Sequence, residues 1–193
     1  MFEKFLEQFN KKVPLTAAES TQLQEHLTVK KVRKKQYLLQ EGEVCKNLAF
    51  VEKGLLRAYS IDDTGREHII QFALEGWVIS DLYSFLTGEP ATYNIEAIED
   101  TEVVLISQSA HATLLLQIPK YETFTRLNIT GAYLAMQKRL TSTISATLED
   151  RYEAFIALYP HIAERVPQHM IAAYLGLTPE TLSRVRKRIS LHK

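Results

Sequence analysis

Between Val29 and Ile106 the apolar residues fall in short runs separated by glycine-containing turns, whereas on either side of that stretch they repeat at helical spacing. One period cannot serve both patterns, so the chain must fold as a β-rich centre flanked by helices. Residues 48–51, 55–61 and 69–72 are β-prone. Glu41-Gly42-Glu43, Lys53-Gly54, Asp62-Asp63-Thr64-Gly65, Glu75-Gly76 and Gly88-Glu89-Pro90 supply the turns between them and their neighbours. Strands at this spacing predict an antiparallel β-roll, jelly-roll-like in form. The clearest hairpin spans residues 54–72 and turns at DDTG, where aspartate and glycine are expected to take positive φ. A short helix over about residues 80–87 interrupts the strands, and residues 94–97 and 103–106 complete them.

The helical flanks differ from each other. At the start, Phe2, Phe5, Leu6 and Phe9 line one face until Pro14 breaks the run. Thr16 followed by Glu19 is a capping-box signature for a second helix ending near Leu27. After Ser109, Ile129, Tyr133, Met136, Leu140, Ile144, Leu148, Tyr152, Phe155 and Tyr159 step by three or four. This predicts one helix over residues 121–159, roughly 55–60 Å long at 1.5 Å per residue. Such a stripe outruns a small roll, and pairing with a second copy would bury it.

Composition narrows the function. The 193 residues are 46% hydrophobic and 24% charged with a net charge of zero, which speaks against disorder and against a uniformly basic nucleic-acid coat. From Pro160 onward, however, six cationic side chains face two carboxylates, a surplus of +4 that leaves −4 on the rest. That asymmetry suits a tail that meets a polyanion, although a solvated helix end would show the same surplus. Cys45, the only cysteine, excludes an intramolecular disulfide, a cysteine-based zinc site and a four-cysteine iron–sulfur cluster. The longest apolar runs fall far short of a membrane span, and the charged N-terminus lacks the apolar core of a signal peptide. A cytoplasmic protein without membrane attachment is expected.

Residues 166–189, VPQHMIAAYLGLTPETLSRVRKRI, carry a mechanism. Pro167 suits a first helical turn, and Gly176 suits a left-handed helix end. Thr178 then caps a second helix with Pro179 at its first position. Leu182, Val185 and Ile189 bury one side of that helix, and Ser183, Arg184, Lys187 and Arg188 face outward. Two short helices joined by a tight glycine turn make a helix-turn-helix, and a capped basic second helix can enter the major groove of DNA.

Together the roll, the long helix and GLTPETLSRVRKRI resemble the Crp/Fnr superfamily of bacterial transcription regulators, over nearly the whole chain. The resemblance implies an α+β architecture in three parts: a cyclic-nucleotide-binding-like sensor roll (1–118), a dimerisation helix (119–159) and a helix-turn-helix DNA-binding domain (160–193). The family's R-E-T-x-x-R pattern is met by Glu180, Thr181 and Arg184, whereas its first arginine is Pro179 here, so a different operator is expected. Arg184 suits bidentate pairing with guanine and Glu180 suits acceptance from cytosine; Thr178, Thr181, Arg186, Lys187 and Arg188 suit phosphates. The sequence ends four residues beyond Ile189, so no wing hairpin is expected after the recognition helix. In cyclic-nucleotide binders of this fold, a G-E pair and an R-S or R-T pair form a phosphate cassette. Ser80-Asp81 and Ala91-Thr92 align with those pairs, and these four residues are the candidate effector pocket. With alanine in place of the arginine, cyclic AMP loses its charge partner and is not the expected effector.

Other chemistry finds less support. No H-x-H pair exists to hold a cupin metal, and His68, His111, His161, His169 and His192 are scattered. Residues 30–35, KKVRKK, read as the solvated face of an alternating strand. Tyr37, Trp77, Tyr83, Phe85 and Tyr93 read as core or interface aromatics. No Ser-His-Asp set, G-x-G-x-x-G or P-loop is present, so the expected role is regulatory rather than enzymatic. The expected partners are a palindromic duplex operator, a second copy of the chain and, as the resemblance implies, RNA polymerase and a small-molecule effector of unknown identity. The competing reading is a ligand-sensing roll that acts through protein partners without touching DNA.

Overall fold

The computed structural model describes residues 2–191; His192 and Lys193, which entered the histidine and charge counts, lie outside the described residues, as does Met1. Helices α1 (Glu3–Lys12) and α2 (Ala17–Gln24) lead into strands β1 (Thr28–Val32), β2 (Tyr37–Leu39), β3 (Asn47–Lys53), β4 (Leu56–Ile61), β5 (Glu67–Ala73) and β6 (Val78–Ile79). Helix α3 (Leu82–Thr87), strands β7 (Asn94–Ala97) and β8 (Thr101–Ser107) and helices α4 (Gln108–Gln117) and α5 (Pro119–Ser145) follow. Helices α6 (Leu148–Leu158), α7 (Pro160–Arg165), α8 (Gln168–Leu175) and α9 (Pro179–Leu191) complete the chain. The residues up to Ser60 form one compact unit with Gln71–Thr130, and Ile61–Ile70 forms the other with the residues from Gly131 onward.

Two four-stranded sheets build the roll, ordered β1-β8-β3-β6 and β2-β7-β4-β5. Ala49, Val51 and Val103 of the first meet Leu56, Ala58, Ile95 and Ala97 of the second in one core. On the opposite face of the first sheet, Phe50, Val104 and Ile106 join Phe5 and Phe9 of α1, Leu114 of α4 and Phe124 of α5 in another. Covering both faces explains why β3 and β8 carry unbroken apolar runs instead of strict alternation. Phe9 stacks on Phe124 with ring centres 4.1 Å apart, and Phe5 meets Phe50 edge-on at 5.0 Å.

The capping box of α2 forms as read. Thr16 N–H donates to Glu19 Oε2 at 2.7 Å, and Glu19 N–H donates to Thr16 Oγ1 at 3.3 Å. Lys120 Nζ adds a bond to the same carboxylate at 2.7 Å. That Lys120 bond, followed by the Thr16 amide, lowers the Glu19 carboxyl from 4.5 to about 2. A carboxyl depressed by folding stabilises fully above its unfolded value and loses that contribution as pH falls through the folded one. Glu19→Gln is therefore expected to lower the melting temperature at neutral pH, with the gap to wild type closing as pH falls from about 4.5 to about 2.

Four local expectations need correction. The single helix over 121–159 is two, because Thr147 is extended and its hydroxyl accepts the Asp150 amide at 3.1 Å, so α6 starts afresh. Only Gly65 of the DDTG turn has positive φ (+82°). Asp62 shapes the turn through its carboxylate instead, accepting from the Thr64 and Arg66 amides at 2.9 and 3.0 Å. The basic run 30–35 leaves its strand after Val32, and Lys35 is left-handed at φ +66°. Finally, α2 stops at Gln24, short of Leu27, which is buried beyond the helix end.

Candidate nucleic-acid interface and ligand pocket

Helix α8 ends on Gly176 at φ +70°, a conformation glycine adopts at no steric cost. Leu177 N–H then donates to Ala172 O at 2.8 Å, a Schellman-type closure, and Leu177 turns into the core. Arg151 of α6 caps the Leu175 carbonyl beside it. Thr178 Oγ1 accepts the Thr181 amide at 3.2 Å, and Leu182 N–H returns to Thr178 O at 3.0 Å, so α9 begins capped with Pro179 at its first position. Leu182 and Val185 are buried with Ile171, Ala172 and Leu175 of α8, Phe155 of α6 and Ile162 of α7.

The opposite face of α9 presents the candidate DNA contacts. Thr178, Glu180, Ser183, Arg184, Arg186, Lys187 and Arg188 are exposed, and Thr181 is half-buried. Arg184 Nη2 lies 3.4 Å from Thr181 Oγ1, a loose contact that leaves its remaining donors outward. Glu180 is held below the usual carboxylate range by its own backbone amide first, then by the Thr178 hydroxyl and the Arg184 charge. Arg188 differs from the rest: its guanidinium pairs with Glu149 of α6 at 2.8 Å, bracing α9. Arg186, a phosphate candidate by its charge, is exposed on the same helix.

In the roll, Asp81 and Thr92 come together as the cassette alignment implies, but they bond each other. Thr92 N–H donates to Asp81 Oδ2 at 3.1 Å, and Ser84 N–H donates to Asp81 Oδ1 at 3.0 Å. Asp81 thus caps α3 and is 2% exposed. Ala91 N–H is committed to Glu43 O at 2.8 Å, and the Ser80 carbonyl accepts the Tyr93 hydroxyl at 2.9 Å. Burial, with the Asp81 charge second, raises the Tyr93 phenol, which keeps the proton that it donates. The Ala91 and Thr92 amides are therefore already used, one by Glu43 O of the loop before β3 and the other by Asp81. No spare arginine replaces Ala91 here either: buried Arg57 is paired with Glu96 at 2.6 Å and lies over the Tyr59 ring at 4.0 Å.

A cavity of about 400 Å³ opens elsewhere in the roll. Leu39, Ala49, Ile79 and Ile95 line its depth, and Lys30, Glu43 and Lys46 line its exposed part. Of the four cassette positions only Ser80 borders it. Sequence reading missed this site because its walls come from six strands and the loop before β3. Among the described residues no cluster of His, Cys, Asp and Glu is arranged to hold a metal ion, and no helix is long and apolar enough to cross a membrane.

Comparison with known proteins agrees with this geometry. Residues 29–117 match the cyclic nucleotide-binding domain family. The chain is 26% identical over 190 residues to the fumarate and nitrate reduction regulatory protein of Vibrio cholerae serotype O1, an alignment covering 91% of this chain and 75% of that one. FixK2 from Bradyrhizobium japonicum superposes with a TM-score of 0.73 at 23% identity, over 86% of this chain and 85% of that one. A Crp/Fnr-family regulator from Eubacterium rectale gives a TM-score of 0.73 at 18% identity, over 98% and 89% of the two chains. With a match to the cyclic nucleotide-binding domain family across residues 29–117 and a regulatory protein aligned to 91% of its length, the chain is similar to regulators of the Crp/Fnr type and shares their fold.

Proposed function

We propose that the protein is a homodimeric, sequence-specific DNA-binding transcription regulator whose effector is not a cyclic nucleotide. The observation that carries this reading is α9: a capped helix, packed through Leu182 and Val185, with Arg184, Arg186 and Lys187 exposed on its other side. Its exposed start brings side chains within reach of base edges, while the cations further along suit phosphates. Pairing of two copies through α5 would set two such helices in successive major grooves, about 34–36 Å apart on a palindrome. Against a cyclic nucleotide stand Ala91 at the arginine position and the committed Ala91 and Thr92 amides.

Selection from a random duplex pool is expected to return an inverted repeat, bound with an affinity that falls steeply with salt. Recovery of no enriched motif, with flat and negligible binding across a salt titration, would favour a roll that works through protein partners. Within the enriched site, Arg184→Ala should cost about 1–3 kcal/mol and relax preference at one base position. Lys187→Ala should instead weaken all sequences alike and reduce the salt slope by about one. Arg188→Ala carries a further signature. Because Arg188 also pairs with Glu149, its loss should lower helix-turn-helix stability as well as DNA affinity.

A further inference from the structure

We propose that the cavity in the β-roll binds a small, mainly apolar monocarboxylate, such as a medium-chain aliphatic acid. This gives a ligand class to the sensor half of the function proposed above, and its test needs no DNA. Protein interiors are packed about as densely as organic crystals, so an opening of about 400 Å³ reaching the core between two sheets is far beyond a packing fault. The volume falls toward the lower end of the range for small-molecule pockets.

The lining decides what fits. Leu39, Ala49, Ile79 and Ile95 are buried and offer only hydrocarbon. Cys45 also borders the cavity, but its thiol donates to Asn47 O at 3.3 Å and its amide donates to Ser84 Oγ at 2.9 Å, so both donors are committed. The four hydrocarbon side chains therefore reward an apolar body, while half-buried Asn47 and Ser80 also border the cavity and can meet a polar end. Exposed Lys30 and Lys46 line the outer part of the cavity, and among the described residues neither is in an ion pair. Neighbouring Lys31, by contrast, is held by Glu102 at 3.2 Å. Glu43, the one acid in the lining, is tied into its own turn through the Gln40 amide at 3.1 Å. The exposed cations Arg33, Lys34 and Lys35 follow Lys30 and Lys31 in sequence and add to a positive field on the roll.

A phosphate or nucleotide needs forked guanidinium or clustered amide donors, and the lining contains no arginine. Two point-like ammonium groups above a hydrocarbon floor match one carboxylate on a short apolar tail. The Asp81 side chain is absent from the lining, and both its oxygens accept from backbone amides.

Titration of the full-length protein with octanoate by isothermal calorimetry is expected to show saturable binding of one molecule per chain. Lys30→Glu with Lys46→Glu, both on the surface, should weaken binding at least tenfold while leaving the melting curve in place. Ala49→Phe should abolish it by filling the cavity. Octanol should bind more weakly than octanoate, and 3′,5′-cyclic AMP should not compete. The proposal is overturned by the absence of saturable binding at millimolar octanoate, by equal affinity for octanol, or by binding that survives the double lysine variant. It is equally overturned if binding is lost in Leu140→Asp on α5 but retained in the lysine variant, since that places the acid on the exposed helix stripe. None of these results bears on whether α9 binds DNA.

Discussion

Leu140→Asp is expected to turn the protein into a monomer at micromolar concentration and to reduce affinity for a palindromic operator by about a hundredfold or more. Ile129, Tyr133, Met136, Leu140 and Ile144 lie along α5 at intervals of four, three, four and four residues. They are 47–77% exposed in a single chain, although each is a large apolar side chain. Burying any one of them fully against a second copy is worth about 1.5–3 kcal/mol, so the stripe has enough surface to hold a dimer. Aspartate at position 140 removes one such contribution from each copy and brings a carboxylate into the apolar seam, which costs several kcal/mol more by order of magnitude. Operator affinity falls because each half-site then binds alone, without the effective concentration that linkage provides. Sedimentation velocity reads the first effect and fluorescence anisotropy the second. Position 140 is open to solvent in one chain, so a melt at a concentration where wild type is also monomeric should agree within about 0.5 kcal/mol. A variant that still sediments as a dimer would rule out this face as the interface.

The same stripe shows how far sequence reading reached. Its five residues on α5 were legible because a 3.6-residue period survives wherever one face of a helix meets apolar surface. Its continuation through Phe155 was misread as one helix, since Leu148, Tyr152 and Phe155 keep a similar spacing on α6. Phe155 is buried and packs on Tyr159 and Tyr174 within the helical unit, so that part of the pattern reports an internal core. The break was written in Thr147-Leu148-Glu149-Asp150, a cap followed by two acids, which periodicity alone overrides. Around α9 the opposite held. Cap, glycine turn and buried face are local chemistry, and each appears where the residues demanded it.

The pocket was legible only in part. Asp81 and Thr92 could be matched to a cassette by alignment, yet alignment carries no account of hydrogen bonds. Both Asp81 oxygens close the loop on itself, with Ser84 on one side and Thr92 on the other. A shortened acid and a missing arginine thus act together. The Ala91 and Thr92 amides have protein partners, Glu43 O and Asp81, and the Asp81 carboxylate serves as a helix cap. The cavity lined by Leu39, Ala49 and Ile95 had no sequence signature, because its residues are far apart in the chain and each looks like ordinary core.

Arg139→Ala is expected to destabilise the helical unit by about 2–4 kcal/mol, more than an alanine change at any of the exposed residues of α5. The Arg139 guanidinium donates to the carbonyls of Ile69 at 2.9 Å, Tyr174 at 2.7 Å and Ile70, and it lies over the Tyr174 ring at 3.9 Å. One side chain thereby joins the end of the β5 hairpin, α5 and α8, three pieces separated by 69 and 35 residues. Truncation removes charge-assisted bonds worth about 1.5–3 kcal/mol each at most and a ring contact worth about 0.5–2, partly offset where water reaches the freed carbonyls. Lysine should recover little, because a single ammonium cannot span three carbonyls or stack flat on the tyrosine. The carbonyls are uncharged, so the loss should persist in high salt, unlike the Lys4 and Glu7 pair, which lies on the surface and is screened. Urea melts of wild type, Arg139→Lys and Arg139→Ala at low and high ionic strength provide the measurement. Full rescue by lysine, or a loss that vanishes in salt, would show that the charge alone matters. A loss shared by both variants and indifferent to salt means that the planar, forked geometry of Arg139 fastens the hairpin to α8, the helix that ends in the Gly176 turn.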